Sequence, residues 1–138
     1  MPIKSMAVVA ALQLLVAGFI AAVVTADAQN APQRLVVKSN ETVEIGLVFY
    51  VSNCRSIMIG LPQVEILEGA PELTISVKEG PVLPRRFNCG APVPGGKLML
   101  AATDITESKE VKLTYRLKYK TKDGDRQTGN SYIVSLFP

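Results

Sequence analysis

The strongest constraint on this chain is a strict alternation of apolar and polar residues near its C-terminus. In KEVKLTYRLKYKT, residues 109–121, every second side chain from position 111 to position 119 is apolar or aromatic. Successive side chains of a β-strand point to opposite faces, so the pattern predicts a strand with one buried face. The predicted inward residues are Val111, Leu113, Tyr115, Leu117 and Tyr119.

A turn and a second alternating segment follow this strand. The pair Asp123-Gly124 favours the positive φ angles that a tight hairpin turn requires. The chain then continues as RQTGNSYIVSLF, residues 126–137, and the two segments together predict a long β-hairpin. The predicted inward residues of the second segment are Tyr132, Val134 and Leu136.

Shorter alternating segments precede the hairpin, and Gly, Pro, Asn and Asp separate them. The longest of these, TVEIGLVFYVS at 42–52, is expected to turn Leu47 and Phe49 inward, and QVEIL is expected to turn Val64 and Ile66 inward. No stretch after residue 28 sustains a helical period. Short strands at this spacing predict an all-β fold, an antiparallel β-sandwich of about seven strands.

The segment EGPVLPRRFNCGAPVPGG, residues 79–96, interrupts the alternation. Proline cannot donate a backbone hydrogen bond and glycine weakens a strand interior. We therefore expect a long crossover or an irregular edge here, not a regular central strand.

The first 28 residues have the three parts of a secretory signal. Lys4 gives a positive start, residues 7–26 are almost continuously apolar, and Ala26-Asp27-Ala28 offers small residues for cleavage. The apolar run is also long enough for an uncleaved membrane anchor, which is the alternative. We predict a signal peptide over residues 1–28, one domain over 29–138, and a periplasmic or secreted protein that contacts membrane only if the signal remains.

The chain has two cysteines, and cysteines of exported proteins usually pair because the compartment is oxidising. Cys54 and Cys89 are therefore predicted to form a disulfide. The chain-entropy estimate for a loop of this length is roughly 4 kcal/mol. Free thiols or a redox pair are the alternative, although redox pairs more often have the spacing Cys-x-x-Cys.

Four sequence stretches carry a resemblance that covers essentially the whole chain after the signal. They are NCRS at 53–56, RRFNCGAPVPGG at 85–96, LTYRLKYKTKDG at 113–124 and the final SLFP. On these stretches the chain resembles small exported immunoglobulin-like domain proteins of Gram-negative bacteria with no assigned function. The resemblance implies an immunoglobulin-like β-sandwich and little about activity.

One feature departs from antibody-type domains, which pack their inter-sheet disulfide against a tryptophan. This chain contains no tryptophan, and Cys89 lies in a loop-like context. We therefore expect the bridge to tie a loop to the end of a strand.

The composition excludes several classes of chemistry. The chain contains no histidine, which excludes Ser-His-Asp and Cys-His catalysis and removes the usual ligands of copper and zinc sites. The net charge of +3 is mild and does not suggest a nucleic-acid partner. We expect no cofactor, no metal and no catalytic residue, and we expect a non-catalytic binding or structural module of the cell envelope.

Two basic features are candidate binding surfaces. The first is Arg85-Arg86-Phe87 beside Cys89. Arginine and aromatic residues are enriched at binding hot spots, but a structural loop that packs Phe87 inward would have the same composition. A binding role requires guanidinium groups that are exposed, close together and free of internal carboxylate partners such as Glu65 or Glu79; arginines that point to opposite faces would make the loop a scaffold. The binding role includes the alternative of an inhibitor or accessory subunit that presents the 84–96 loop to an enzyme.

The second basic feature is a stripe on the polar face of the long strand. It consists of Lys112, Arg116, Lys118 and Lys120. The stripe is expected to be either a solvated face that protects an edge strand from aggregation or a weak surface for anionic envelope polymers. The expected partner of the protein is accordingly another protein or an anionic polymer of the envelope.

Overall fold

The computed structural model describes residues 33–138, which form nine strands and one 3-10 helix. The strands are β1 (Gln33–Lys38), β2 (Thr42–Val48), β3 (Val51–Ser52), β4 (Arg55–Ser56), β5 (Gln63–Glu68), β6 (Leu73–Val82), β7 (Val93–Ala102), β8 (Lys109–Thr121) and β9 (Gly124–Phe137). The 3-10 helix is Arg85–Phe87. The signal peptide predicted for residues 1–28 lies outside the described residues.

Seven of the strands form two sheets. One sheet has the order β1-β9-β8-β5, the other has the order β2-β7-β6, and β3 pairs with β4 in a short hairpin. This is the connectivity of an immunoglobulin sandwich, except that the first strand joins β9 instead of β2. The prediction of an all-β immunoglobulin-like sandwich of about seven strands is confirmed. It needs one correction, because β1 and β9 run parallel, from Gln33 opposite Tyr132 to Lys38 opposite Phe137.

The core lies between the two sheets. Leu113, Tyr115 and Leu117 of β8 are buried there as predicted. They pack with apolar residues of β7, β9 and β1, chiefly Leu98, Leu100, Tyr132, Val134, Leu136 and Val37. The alternation in residues 109–121 therefore identifies the buried face correctly.

A β-bulge overturns the predicted faces of β2. Leu47 is 45% exposed, whereas Val48 is fully buried. The pairing of β2 with β7 shifts register between Glu44 and Gly46, and one extra residue in a strand moves every later side chain to the other face. Phe49 is consequently half-buried and lies outside the core cluster.

A second register shift affects β5. The pairing of β5 with β8 shifts between Ile66 and Glu68. Val64 is half-buried and packs against the core as predicted, but Ile66 is exposed. This shift follows Ile66, which still lies opposite the buried Tyr115, so the bulge does not explain the error; Ile66 keeps the predicted face and is exposed because β5 is the edge strand of its sheet.

The predicted irregular segment at 79–96 is shorter than expected. Residues 79–82 belong to β6 and residues 93–96 to β7, the central strand of its sheet. Pro94 lies beyond the last residue of β7 that pairs with β2, so no bond to β2 is lost there. A side chain at Gly95 would overlap the carbonyl oxygen of Val48, so the glycine permits the close approach of β2. The irregular part is therefore residues 83–92.

The C-terminal hairpin is present, with β8 and β9 paired from Lys109 opposite Leu136 to Thr121 opposite Gly124. Of the predicted turn pair, only Gly124 has a positive φ, at 103°. Lys122 and Asp123 form the turn, and the Thr121 hydroxyl accepts a hydrogen bond from the Asp123 amide.

The bulge in β2 gives a direct stability test. Val48→Ala removes fully buried methyl groups and should lower the free energy of unfolding by about 2 kcal/mol. Leu47→Ala removes a larger but half-exposed side chain and should cost less than about 1 kcal/mol. Chemical denaturation of both variants measures the difference. A larger loss for Leu47→Ala would place the bulge elsewhere.

Candidate functional site: an open cleft between the sheets

A cleft of about 1050 Å³ opens between the two sheets. Its walls are β2 on one side and the N-terminal half of β9 on the other, with the 3-10 helix at the rim and β8 at the floor. Representative lining residues are Gly46 and Leu47 of β2, Gly129 of β9, Tyr115 and Tyr119 of β8, and Arg86.

The cleft exists because strand pairing on β9 is incomplete. β1 pairs with β9 only from Tyr132 onward, so residues 124–131 have no neighbour on that side within residues 33–138. Thr128 and Asn130 share the face of Tyr132 yet are polar and exposed. Their partners on β8 stay apolar, since Leu117 lies opposite Thr128 and Tyr115 lies opposite Asn130. The result is an apolar floor beside an uncovered strand.

Aromatic rings dominate the floor. Tyr115 and Tyr132 are stacked, with ring centroids 6.1 Å apart and planes 8° apart. Tyr50 lies against Tyr119 at 5.3 Å. These are all four tyrosines of the sequence, all four line the cleft, and the chain has no tryptophan. The intrinsic fluorescence of the protein therefore reports on this cleft.

Hydrogen bonds fix the floor between the two walls. The Tyr132 hydroxyl donates to the carbonyl oxygen of Ile45 on β2 at 3.0 Å, and it accepts from the Asn130 side-chain amide at 3.2 Å. Burial, followed by the nearby Tyr132 hydroxyl, raises the pKa of Tyr115. Burial also raises the pKa of Tyr119. Both hydroxyls therefore stay neutral at physiological pH.

The rim carries three of the candidate binding residues identified from the sequence, Arg85, Arg86 and Phe87. Arg85 and Arg86 are exposed, and neither side chain forms an ion pair or hydrogen bond within residues 33–138. The Arg86 guanidinium lies 4.9 Å from the ring centre of Phe87 and 5.9 Å from that of Phe49. Contacts of this kind attract a cation to the ring face. The requirement that Glu65 and Glu79 leave both arginines unpaired is therefore met.

Phe87 is 49% exposed and meets Phe49 edge to face, with centroids 6.1 Å apart. It is thus neither packed fully inward nor detached from the domain. Phe49, which the bulge turns away from the core, instead supports the rim.

The disulfide predicted between Cys54 and Cys89 is present, with the Cα atoms 5.4 Å apart. Cys54 lies in the turn between β3 and β4, where Asn53 and Cys54 both have positive φ, at 51° and 59°. Cys89 is buried directly after the 3-10 helix. The bridge therefore ties the rim loop to the turn of a hairpin, not to the end of a strand as expected.

The hairpin is itself attached to the domain. The amide of Ile57, after β4, donates to the carbonyl oxygen of Tyr50, before β3, at 2.9 Å. The amide of Ile59 donates to the carbonyl oxygen of Lys120 on β8 at 2.7 Å. The chain of contacts from β8 through the hairpin and the disulfide thus holds the rim loop at the cleft.

The basic stripe is located elsewhere and is largely neutralised. Arg116 donates two hydrogen bonds to Glu65, at 3.2 and 3.1 Å, and Lys118 lies 2.8 Å from the same carboxylate. The hydrogen bond from Lys118, followed by that from Arg116, lowers the pKa of Glu65. Lys112 lies 4.0 Å from Glu68. Among the four stripe residues only Lys120 forms no ion pair within the described part of the chain.

The position of the stripe also needs correction. β8 lies between β9 and β5, so the stripe is on the outer face of an interior strand and not on a sheet edge. The pairing with glutamates of β5 explains the alternating charges as cross-strand partners.

The charged residues that line the cleft are all basic. Arg85, Arg86 and Lys97 line it, and none of the lining residues in the described part of the chain is an aspartate or glutamate. Lys97 lies 3.7 Å from Glu44, whereas the two arginines have no such partner in residues 33–138. The cleft therefore combines an apolar floor with a cationic rim, an arrangement complementary to an acidic ligand.

Comparisons with known proteins identify no relative. No family of known proteins, no curated protein and no solved structure matches the chain. The resemblance to small exported immunoglobulin-like proteins therefore stays a prediction. Within residues 33–138, no helix is long and apolar enough to cross a membrane.

One feature of the sequence indicates the cleft and was missed by the prediction from alternating residues. The apolar alternation of β8 continues to Tyr119, whereas that of β9 begins only at Tyr132. Tyr119 lies opposite Arg126, and Leu117 lies opposite Thr128. Over this stretch the alternate residues of β8 are apolar, whereas the residues opposite them on β9 are polar. Such a mismatch indicates an apolar surface beside an open edge.

The raised pKa of Tyr115 determines how stability depends on alkaline pH. Tyrosines of the unfolded chain ionise near pH 10, while Tyr115 keeps its proton in the folded state. The unfolded state then binds fewer protons, so stability is full below about pH 10 and falls as the pH rises above it. Tyr115→Phe should flatten this fall, measured by urea unfolding between about pH 8 and 11. An unchanged slope would contradict the burial of this hydroxyl.

The disulfide gives a test of how the rim is held. Reduction should lower the melting temperature, since the bridge contributes up to roughly 4 kcal/mol. A variant with Cys54→Ser and Cys89→Ser should melt at the lower temperature and should not respond to the reductant. Alkylation followed by mass spectrometry reports the oxidation state of the native protein. Labelling of both cysteines without reductant would contradict the bridge.

Proposed function

We propose that this protein is an exported, non-catalytic binding module, periplasmic or secreted, that holds a ligand with an acidic group in the cleft between its sheets. The observation that carries the proposal is that Arg85 and Arg86, at the rim of a tyrosine-lined cleft, form no ion pair within residues 33–138. The disulfide is compatible with an oxidising compartment outside the cytoplasm.

The rim loop is ordered before a ligand arrives. The Cys54–Cys89 bridge holds the irregular segment from within, three residues before its end, and β7 begins four residues after Cys89. Arg86 is further positioned by the rings of Phe49 and Phe87. A pre-ordered loop loses less conformational entropy on binding, which favours affinity.

The arginines have the chemistry to bind an acidic group. A guanidinium forms two parallel charge-assisted hydrogen bonds with a carboxylate or phosphate. Where a guanidinium is already paired, as Arg116 is with Glu65, an external ligand must displace the internal partner. Arg85 and Arg86 have no partner to displace within residues 33–138, which favours the rim over the stripe as the binding surface.

The experiment uses the anionic fluorophore anilinonaphthalene sulfonate as a probe of an apolar, cationic cleft. The variant with Arg85→Ala and Arg86→Ala should bind it about tenfold more weakly, since one lost charge-assisted hydrogen bond is worth about 1.5–3 kcal/mol. The matched control is Lys118→Ala with Lys120→Ala, which removes the same charge from the stripe. It should bind like the native protein.

A neutral phenylnaphthylamine completes the test, because its binding should not depend on the arginines. Equal affinity of both double variants for the anionic probe would contradict the proposed site. Preferential loss in the Lys118 and Lys120 variant would move the binding surface to the stripe.

A further inference from the structure

We infer that the occupant of the cleft is an extended segment of a partner protein, which adds as a strand to the edge of β9 that residues 33–138 leave uncovered and carries an acidic residue to the rim. This inference rests on the proposed function, because it names the ligand class of the same cleft. Its evidence is separate and comes from the backbone of β9.

The backbone groups that face this edge follow from the pairing with β1. The amide of Ser39, directly after β1, donates to the carbonyl oxygen of Phe137 at 2.8 Å, so Phe137 faces the β1 side. Backbone groups alternate between the two sides of a strand with a period of two. Every odd-numbered residue of β9 therefore faces the same side, including Gln127 and Gly129, which lie beyond the end of β1.

Ser131 is the residue of β9 directly before the stretch that pairs with β1, and its backbone amide already has a hydrogen-bond acceptor. The Ser131 amide donates to the side-chain oxygen of Asn130 at 2.9 Å. The backbone amides of Gln127 and Gly129 have no equivalent side-chain partner within residues 33–138. An exposed edge of this kind is a template for another strand. At the other end of this edge the Asp125 carbonyl oxygen accepts from the Arg126 side chain at 3.0 Å, so the open backbone groups lie between Asp125 and Ser131 and an added strand would pair there.

The walls of the cleft also suit a strand. The opposite wall is β2, itself the edge of its sheet, so the space lies between two sheet edges. Side chains of an added strand would alternate, and every second one would face the floor formed by Tyr115, Tyr132 and Leu98. The expected partner segment therefore has apolar residues at alternate positions.

The rim supplies the charge specificity. Among the described residues no carboxylate lines the cleft, and Arg85, Arg86 and Lys97 all carry positive charge. An aspartate or glutamate of the partner segment would accept hydrogen bonds from the arginines. A small anionic amphiphile would also match the floor and the rim. It would leave the edge amides of Gln127 and Gly129 to water, which is why a peptide fits better.

The test begins with selection from a library of random peptides of about eight to twelve residues on the intact protein. Selected peptides should contain alternating apolar residues and an acidic residue, and they should change the tyrosine fluorescence and displace anilinonaphthalene sulfonate. The variant with Arg85→Ala and Arg86→Ala should bind them about tenfold more weakly.

A backbone variant separates strand addition from simple apolar binding. Gln127→Pro removes the edge amide, and proline is tolerated at a strand edge. It should weaken the selected peptides about tenfold and leave binding of anilinonaphthalene sulfonate unchanged. Gln127→Ala keeps the amide and should bind peptides like the native protein. The near-ultraviolet circular dichroism of the tyrosines, which requires fixed side-chain packing, shows whether the proline variant is folded.

The outcomes separate the two proposals. If the fluorophore binds through the arginines but no peptide is selected, or if peptides bind Gln127→Pro and Gln127→Ala equally, strand addition is wrong and the proposed function stands. If dodecyl phosphate binds through the arginines and no peptide does, the ligand is an anionic amphiphile. If neither fluorophore nor peptide depends on the arginines, both proposals fail.

Discussion

The pairing of β1 with only the C-terminal half of β9 is the constraint on which the site depends. β1 closes the sandwich from Tyr132 to Phe137 and ends there, while β8 and β9 continue together to the turn at Lys122-Asp123. Over residues 124–131, β9 still pairs with β8, whose inward face is apolar, but β1 no longer lies beside β9. The cleft is therefore a consequence of unequal strand lengths and not of a gap in an otherwise closed core.

The disulfide determines what lies over this opening. Without Cys54–Cys89, residues 83–92 would be attached through their two strands, the buried Pro84 and the contact of Phe87 with Phe49. With the bridge, the loop is attached to a hairpin that hydrogen bonds to β8, the floor of the same cleft. The rim and the floor are thus linked, and the arginines are held near the apolar surface. In a domain with net stability of about 5–15 kcal/mol, one such bridge is a large contribution.

Local patterns in the sequence predicted the parts of the fold that depend on local physics. The inward faces of β8 and β9 follow from alternation, and the disulfide follows from two cysteines in a chain with a predicted signal. The sequence did not predict that Val48, and not Leu47, is buried, because the bulge at Glu44 and Gly46 depends on β7. The candidate site was predicted only in part: Arg85 and Arg86 were identified and the tyrosines of β8 and β9 were correctly placed inward, but the cleft beside them was not predicted. Both the buried face of β2 and the cleft depend on pairing between strands that are distant in the sequence.

Hydrogen exchange along β9 tests most directly whether the edge is uncovered over half of its length. The amides of Ile133 and Ser135 face β1 and should exchange slowly. The amides of Gln127 and Gly129 face the same side beyond the end of β1 and should exchange close to the rate of an unprotected amide. The amide of Thr128, which faces β8, should be protected and serves as an internal reference. Protection of Gln127 and Gly129 equal to that of Ile133 in the isolated protein would contradict an open cleft.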